Sequence, residues 1–425
     1  MTHMNDQQTQ REIRHLATLS PAHCFPAFQT DAGCLLWGGM PLTRLADRVG
    51  RTPFYAYDRK RLDDRVAQLR AVLPGSVKLH YALKANPMPA LVCHMATLVD
   101  GFDVASGAEL QVALDANMDA TEISFAGPAK RREELAQAVA AGVLLNVESF
   151  REARLLAELS ADAGLPARVA VRINPDFDLK SSGMRMGGGP KQFGVDAEQV
   201  PELLQEIGRL GLAFEGFHLY AGSQNLKAEA ICEAQEKTVD LGLRLMASAP
   251  ATPTVFNIGG GFGIPYFPGE KPLDLVPVGQ NLHRLVRLAH EVAPSMRLVL
   301  ELGRFLVGEA GIYVCRVLDR KISRGQVFLI TDGGMHHHLA ASGNFGQVIR
   351  KNYPAVIGNR MISDRREFAS VVGPLCTPLD VLADRVELAE AQVGDLVVVF
   401  QSGAYGLTAS PTAFLSHPAP AEVLL

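Results

Sequence analysis

From residue 77 onward the chain repeats one rhythm: a short β-branched or aromatic apolar run, a polar or glycine-containing turn, then a helical pattern with one apolar face. Eight apolar runs carry it, at 77–83, 101–104, 122–125, 143–147, 168–173, 214–219, 254–258 and 297–300, with helical stretches such as 130–141 and 150–163 between them. A parallel strand needs a crossover helix to bring the chain back for the next strand, so eight β-then-α units in series predict a closed (β/α)8 barrel. An open doubly wound sheet is the alternative, but eight units fit closure better.

After residue 311 the helical rhythm stops and strand-like runs take over, at 312–318, 327–331, 369–372 and 396–400. The first fifty or so residues hold a strand-like run at 34–37 and a helical one at 43–49. They precede the barrel pattern and are expected to join the later strands. The fold class is therefore α/β: a TIM-type barrel over 52–300 and a discontinuous β-rich domain made of 1–51 and 301–425.

Composition narrows the partner. A net charge of −4 with interspersed signs offers no basic stripe to a nucleic acid and no polybasic anchor to a membrane surface, so a small molecule is expected. The six cysteines are scattered, without the spacing of a zinc site or a disulfide framework, which suits reduced thiols in the cytoplasm. The polar N-terminal stretch lacks the apolar run of a signal peptide, and no later run reaches the length of a membrane span.

In a parallel barrel the chemistry sits at the C-terminal ends of the strands. There the sequence places Lys84 after the first run, Asp103 in the second, Arg172 and Asn174 at the fifth, and His218, Tyr220 and Ser223 at the sixth. Gly259-Gly260-Gly261 ends the seventh run, and Glu301, Gly303 and Arg304 end the eighth. Each alone has an ordinary reading: a solvated lysine, a glycine turn, half of a surface ion pair. Together they supply an amine for an imine with an aldehyde, amide and guanidinium donors for a phosphate dianion, and a carboxylate for a pyridine nitrogen. Those are the requirements of a pyridoxal-5′-phosphate (PLP) site.

The stretches Tyr81-Ala82-Leu83-Lys84-Ala85-Asn86, Gly101-Phe102-Asp103-Val104-Ala105-Ser106, the glycine triplet, Glu301-Leu302-Gly303-Arg304, Gly373-Pro374-Leu375-Cys376, Asp380 and Ser402-Gly403-Ala404-Tyr405 resemble the fold-type III PLP decarboxylases, among them the diaminopimelate, ornithine and arginine decarboxylases. The resemblance implies Lys84 as the cofactor-bearing amine, Glu301 against the ring nitrogen, and Asp103 positioning Lys84 and the ring. It implies Ser223, Gly260, Gly261, Arg304 and Tyr405 around the phosphate. It further implies a homodimer in which Cys376 and Asp380 enter the partner's site, with the cysteine reprotonating the carbanion left by CO₂ loss.

Three departures from the diaminopimelate pattern bear on substrate. Tyr220 stands where the family has a ring-stacking histidine, while His218 matches an earlier position. Cys376 is followed by Thr377-Pro378 instead of an acidic residue that reads a distant amino group. Asp332-Gly333-Gly334-Met335-His336-His337-His338 replaces the usual carboxylate-contacting segment. Read as extended, neighbouring histidines point to alternate faces and cannot share a metal, so His336 and His337 are expected to line the substrate pocket or to pack. With the 186–194 glycine loop, these features are similar to a branch that includes a decarboxylase of glutamate tethered to an acyl-carrier protein and the exosortase A-associated decarboxylases. The resemblance thus implies α-decarboxylation of a free or carrier-linked amino acid. Diaminopimelate decarboxylation, racemisation on the same fold and a non-catalytic PLP-binding scaffold are the alternatives.

Overall fold

A computed structural model describes residues 29–177, 184–185, 189–267, 269–345, 347 and 350–425. Its packing divides the chain into a barrel unit, 63–264 with 273–306, and a β-rich unit made of the described residues up to 62 together with 265–272 and 307–425. The edges differ from the 52–300 division expected above. The strand Phe54–Tyr57 runs antiparallel to Gly311–Val314, a pairing that no local pattern distinguishes from a barrel strand.

The barrel strands are β1 Lys78–Ala82, β2 Gly101–Val104, β3 Ile123–Phe125, β4 Leu144–Val147, β5 Arg168–Asn174, β6 Ala213–Leu219, β7 Val255–Gly260 and β8 Arg297–Leu302. Each pairs in parallel with the next, and β8 returns to β1, closing the sheet in chain order. Strand side chains alternate faces, so this register sorts the residues into two sets. Leu79, Tyr81, Phe102, Ile123, Phe125, Leu145 and Val169 form part of the apolar set, all wholly buried. The other set contains His80, Asp103, Ser124, Asn146, Arg172, His218, Asn257 and Glu301, buried and polar. At one level the second set is apolar instead, where Leu144, Ala170, Val255 and Val299 pack together. The barrel interior is thus a small greasy floor with a polar layer near the strand C-termini.

The crossover helices carry ordinary signals. Helix Phe150–Ala163 is N-capped by Ser149, whose Oγ accepts from Glu152 N at 3.1 Å, and it stops at Gly164 in the left-handed region. The eighth strand runs two residues past its expected end, so Glu301 lies inside the sheet beside His80.

In the β-rich unit the long strand Gly311–Ser323 pairs over its first half with Leu396–Val399 and Phe54–Tyr57, and over its second half with Gln326–Thr331. Arg366–Val372 and Val381–Ala389 extend that second half, and Ala421–Leu424 adds to Phe54–Tyr57. Helix Leu42–Val49 covers one face, placing Leu42, Leu45 and Ala46 against Leu35, Trp37, Phe54 and Ile312. The Asp332–His338 segment departs from the extended expectation. It turns at Gly334, whose carbonyl accepts both His337 N and His338 N at 3.0 and 3.1 Å, and Cβ atoms at Gly333 and Gly334 would run into Tyr313 OH and the Asp380 carboxylate.

Candidate active site

Lys84 lies in the 3₁₀ turn Leu83–Ala85 that directly follows β1. Its Nζ is 3.0 Å from Glu301 Oε1 and 5.5 Å from the centre of the Tyr220 ring. The lysine side chain keeps 43% of its exposure while Glu301 keeps 3%, so an accessible amine is held by a buried carboxylate. His218 Nε2 lies 3.2 Å from Glu301 Oε2, and Asn257 Nδ2 donates to the same oxygen at 3.4 Å. Burial by itself raises the Glu301 carboxyl, but the Lys84 ammonium and then His218 outweigh it and hold the group below the usual carboxylate range. Glu301 is therefore an anion at neutral pH.

Asn257 Nδ2 also reaches Asp103 Oδ1 at 3.5 Å, linking the two carboxylates, and Ser124 Oγ donates to that same Asp103 oxygen. A second network lies on β3 to β5. Arg172 Nη1 donates to Glu148 Oε1 at 2.8 Å, and its guanidinium lies 5.0 Å from the Phe193 ring centre. Glu148 also accepts Gly127 N and Gly194 N, at 2.6 and 3.0 Å, and Lys130, almost wholly buried, pairs with Glu152 at 2.6 Å. Arg172, expected beside the cofactor, donates to the Glu148 carboxylate that also accepts the two loop amides.

The glycine triplet follows from steric necessity. Gly259, at φ +70°, would place a Cβ 2.7 Å from Leu219 O, while side chains at Gly260 and Gly261 would meet Glu301 O and Gly222 O. Bare backbone, with its N–H groups, is all that fits there. Ser223 is in a two-residue strand paired with Met184–Arg185, Gly303 packs against Ala85, and Arg304 opens the short helix Arg304–Val307. Residues 186–188 of the glycine loop lie outside the described residues.

Five expected site residues belong to the β-rich unit. Cys376 is exposed between Arg366–Val372 and Val381–Ala389. Asp380 is buried, and its oxygens accept Met335 N at 2.6 Å and Leu375 N at 2.8 Å, tying the histidine turn to the cysteine loop. Tyr405 sits in the left-handed region at φ +52°. His336 and His337 are buried with ring centres 3.7 Å apart. His337 Nε2 faces Pro418 O at 3.0 Å and its Nδ1 faces Tyr313 OH at 3.3 Å, so its ring is engaged within the unit.

Reading strand ends left out His80, Ser124, Asn257, Glu148 and Lys130. For His80, Ser124 and Asn257 the available signal was a polar residue inside an otherwise apolar run, which marks an interior that holds more than packing; Glu148 and Lys130 lie outside the runs. Among the described residues no group of three His, Cys, Asp or Glu is arranged to hold a metal ion, and no helix is long and apolar enough to cross a membrane.

An accessible amine on a buried anion, beside a side-chain-free backbone rim, suits an aldehyde-bearing phosphate with a basic ring nitrogen. Comparison with known proteins agrees. Residues 59–308, more than half the chain, match the family described as pyridoxal-dependent decarboxylase, pyridoxal binding domain. The L-glutamyl-[BtrI acyl-carrier protein] decarboxylase of Niallia circulans is 41% identical over 393 residues, 90% of each chain. Diaminopimelate decarboxylase of Aquifex aeolicus is 34% identical over 94% of this chain and 92% of its own. The crystal structure of diaminopimelate decarboxylase from Helicobacter pylori complexed with L-lysine superposes with a TM-score of 0.79 at 28% identity, covering 90% of this chain and 94% of that one. With geometry, family match and whole-length relatives in agreement, the chain belongs to the pyridoxal-dependent decarboxylases, enzymes that use PLP to release a carboxyl group as CO₂.

Proposed function

We propose that this decarboxylase acts on an amino acid whose side chain is acylated or tethered to an acyl-carrier protein, removing its α-carboxylate. The observation that carries the reading is the cysteine loop. Cys376 is followed by Thr377-Pro378, so the carboxylate that would anchor a distal ammonium is absent from those positions. The 41% identity to a decarboxylase of a carrier-bound glutamyl group supports the same substrate class.

In this reading Lys84 would hold the cofactor aldehyde, Glu301 the ring nitrogen, and the Gly259–Gly261 backbone with Ser223 and Arg304 the phosphate. Bound there, PLP supplies the electron sink for the charge left at Cα. The chain's own residues do the rest. Glu301, an anion still held by His218 and Asn257 when Lys84 is taken up by the aldehyde, favours a proton on the ring nitrogen. Tyr220 offers a flat face, and His218 and Asn257 fix the carboxylate's direction. We further assign Cys376 as the group that returns a proton to Cα, acting from one copy of a homodimer on the barrel of the other; its exposed place on a loop suits that role.

The test is CO₂ release from a panel of free amino acids, diaminopimelate among them, alongside side-chain-acylated and carrier-linked forms. Preferential turnover of the acylated or carrier-linked forms is expected. Efficient decarboxylation of free diaminopimelate would refute the substrate assignment.

A further inference from the structure

His80 is a charged-group partner that the reaction as described leaves unused. It sits inside β1, buried, with Nδ1 3.6 Å from Asp103 Oδ2 and Nε2 3.9 Å from Glu122 Oε2. Neither ring nitrogen has a hydrogen-bond acceptor nearer than these carboxylates among the described residues. A neutral imidazole carries a proton on one nitrogen only, and its bare nitrogen would then face an anion; with a carboxylate on each side the ring is stable as the cation. The surrounding charges are consistent. Glu122 is also paired with Arg297 at 2.9 Å and feels Lys78, and Asp103 takes its remaining contacts from Ser124 and Asn257.

Gly101, opposite His80 in β2, provides the space. A Cβ there would fall 2.5 Å from His80 Nε2 and would also run into Glu122 O. The glycine lies outside the positive-φ region, so its lack of a side chain, and not its backbone freedom, is what the ring needs.

We propose that His80 is a positioning residue of the active site: from the slot opened by Gly101 it pins the Asp103 carboxylate, and through Asn257 the orientation of Glu301. The sequence His80, Asp103, Asn257, Glu301, Lys84 forms an unbroken chain of contacts from the barrel interior to the reactive amine. Burial lowers the His80 imidazolium, but Asp103 and then Glu122 outweigh it and push it up to about 9, in line with the geometric argument. The proposal rests on the barrel mouth being the PLP site.

That premise has its own control: K84A must lose the visible cofactor absorbance of the holoenzyme. H80N should keep that absorbance at neutral pH. Its pH titration midpoint should move by about one unit, and kcat should fall about tenfold with KM little changed, the size of coupling within one hydrogen-bonded network. H80Q, which fills the same slot with a neutral amide, should move both quantities the same way. In the wild-type protein, ¹⁵N-histidine NMR should show one imidazole, absent from H80N, that stays doubly protonated at pH 8. If H80N folds poorly, H80Q and the NMR signal still decide. A neutral His80 at pH 7, or an H80N holoenzyme whose absorbance titration and kcat superimpose on the wild type, would overturn the proposal. Loss of the K84A control alone would instead sink the cofactor-site reading.

Discussion

Glu301 shows how a single side chain acquires its chemistry from its neighbours. A carboxyl removed from water would ordinarily hold its proton, yet here Lys84 at 3.0 Å and His218 at 3.2 Å keep it ionised. Glu301→Gln preserves shape and hydrogen bonding but removes the charge, so kcat should fall about a hundredfold or more while the cofactor absorbance remains. Steady-state kinetics with parallel spectra check this; unchanged kcat would remove Glu301 from the mechanism. Lys84 and Glu301 stood out in the sequence because each lies at the end of an apolar run, and closure of the barrel sets them 3.0 Å apart. His80 was not. A lone histidine in an apolar strand reads as packing, and only the partners Asp103 and Glu122, from beyond its own strand, reveal its charge.

At the scale of elements, local pattern and tertiary demand mostly agree. Leu42, Leu45 and Ala46 recur at helical spacing and form the buried face of Leu42–Val49, while the helix ends at Gly50 in the left-handed region. Leu45→Ala should therefore cost about 2–5 kcal/mol, whereas the exposed Arg44→Ala should stay within about 0.5 kcal/mol. Denaturant midpoints of the two variants test the contrast, and equal effects would deny the helix its packing role. Strand β8 and the Asp332–His338 turn show where pattern falls short. The β8 ladder continues through Glu301 because β1 and β7 offer it partners, although the apolar run has ended. The histidine turn passes too close to Tyr313 and Asp380 for side chains at Gly333 and Gly334, and it is held by Asp380, a residue 45 positions beyond Met335.

For the whole molecule the buried histidines set opposing responses to pH. His336, His337 and His338 are kept neutral, chiefly by burial, which lowers them to about 3, about 4 and about 3. An unfolded imidazole binds its proton near 6.5, so the stability they contribute is present above about pH 6.5 and lost as pH falls toward 3–4. His80 has the opposite sign. Its value, raised to about 9, makes its contribution full below about pH 6.5 and lost as pH rises through 9. Urea midpoints across pH should thus decline on both sides of about 6.5, with H80N flattening the alkaline side and His338→Gln the acid side. A profile unaffected by either change would contradict these protonation states. Taken alone, the sequence determined the eight-unit barrel, the β-rich remainder and the amine, glycine and carboxylate motifs, because periodicity and strand-end position are local properties of the chain. The tertiary structure decided which strand joins which unit, where Arg172 and Asp380 spend their hydrogen bonds, and that His80 faces two carboxylates. Those facts depend on closing the sheet, which brings residues from distant strands within a few ångströms and so fixes their charge.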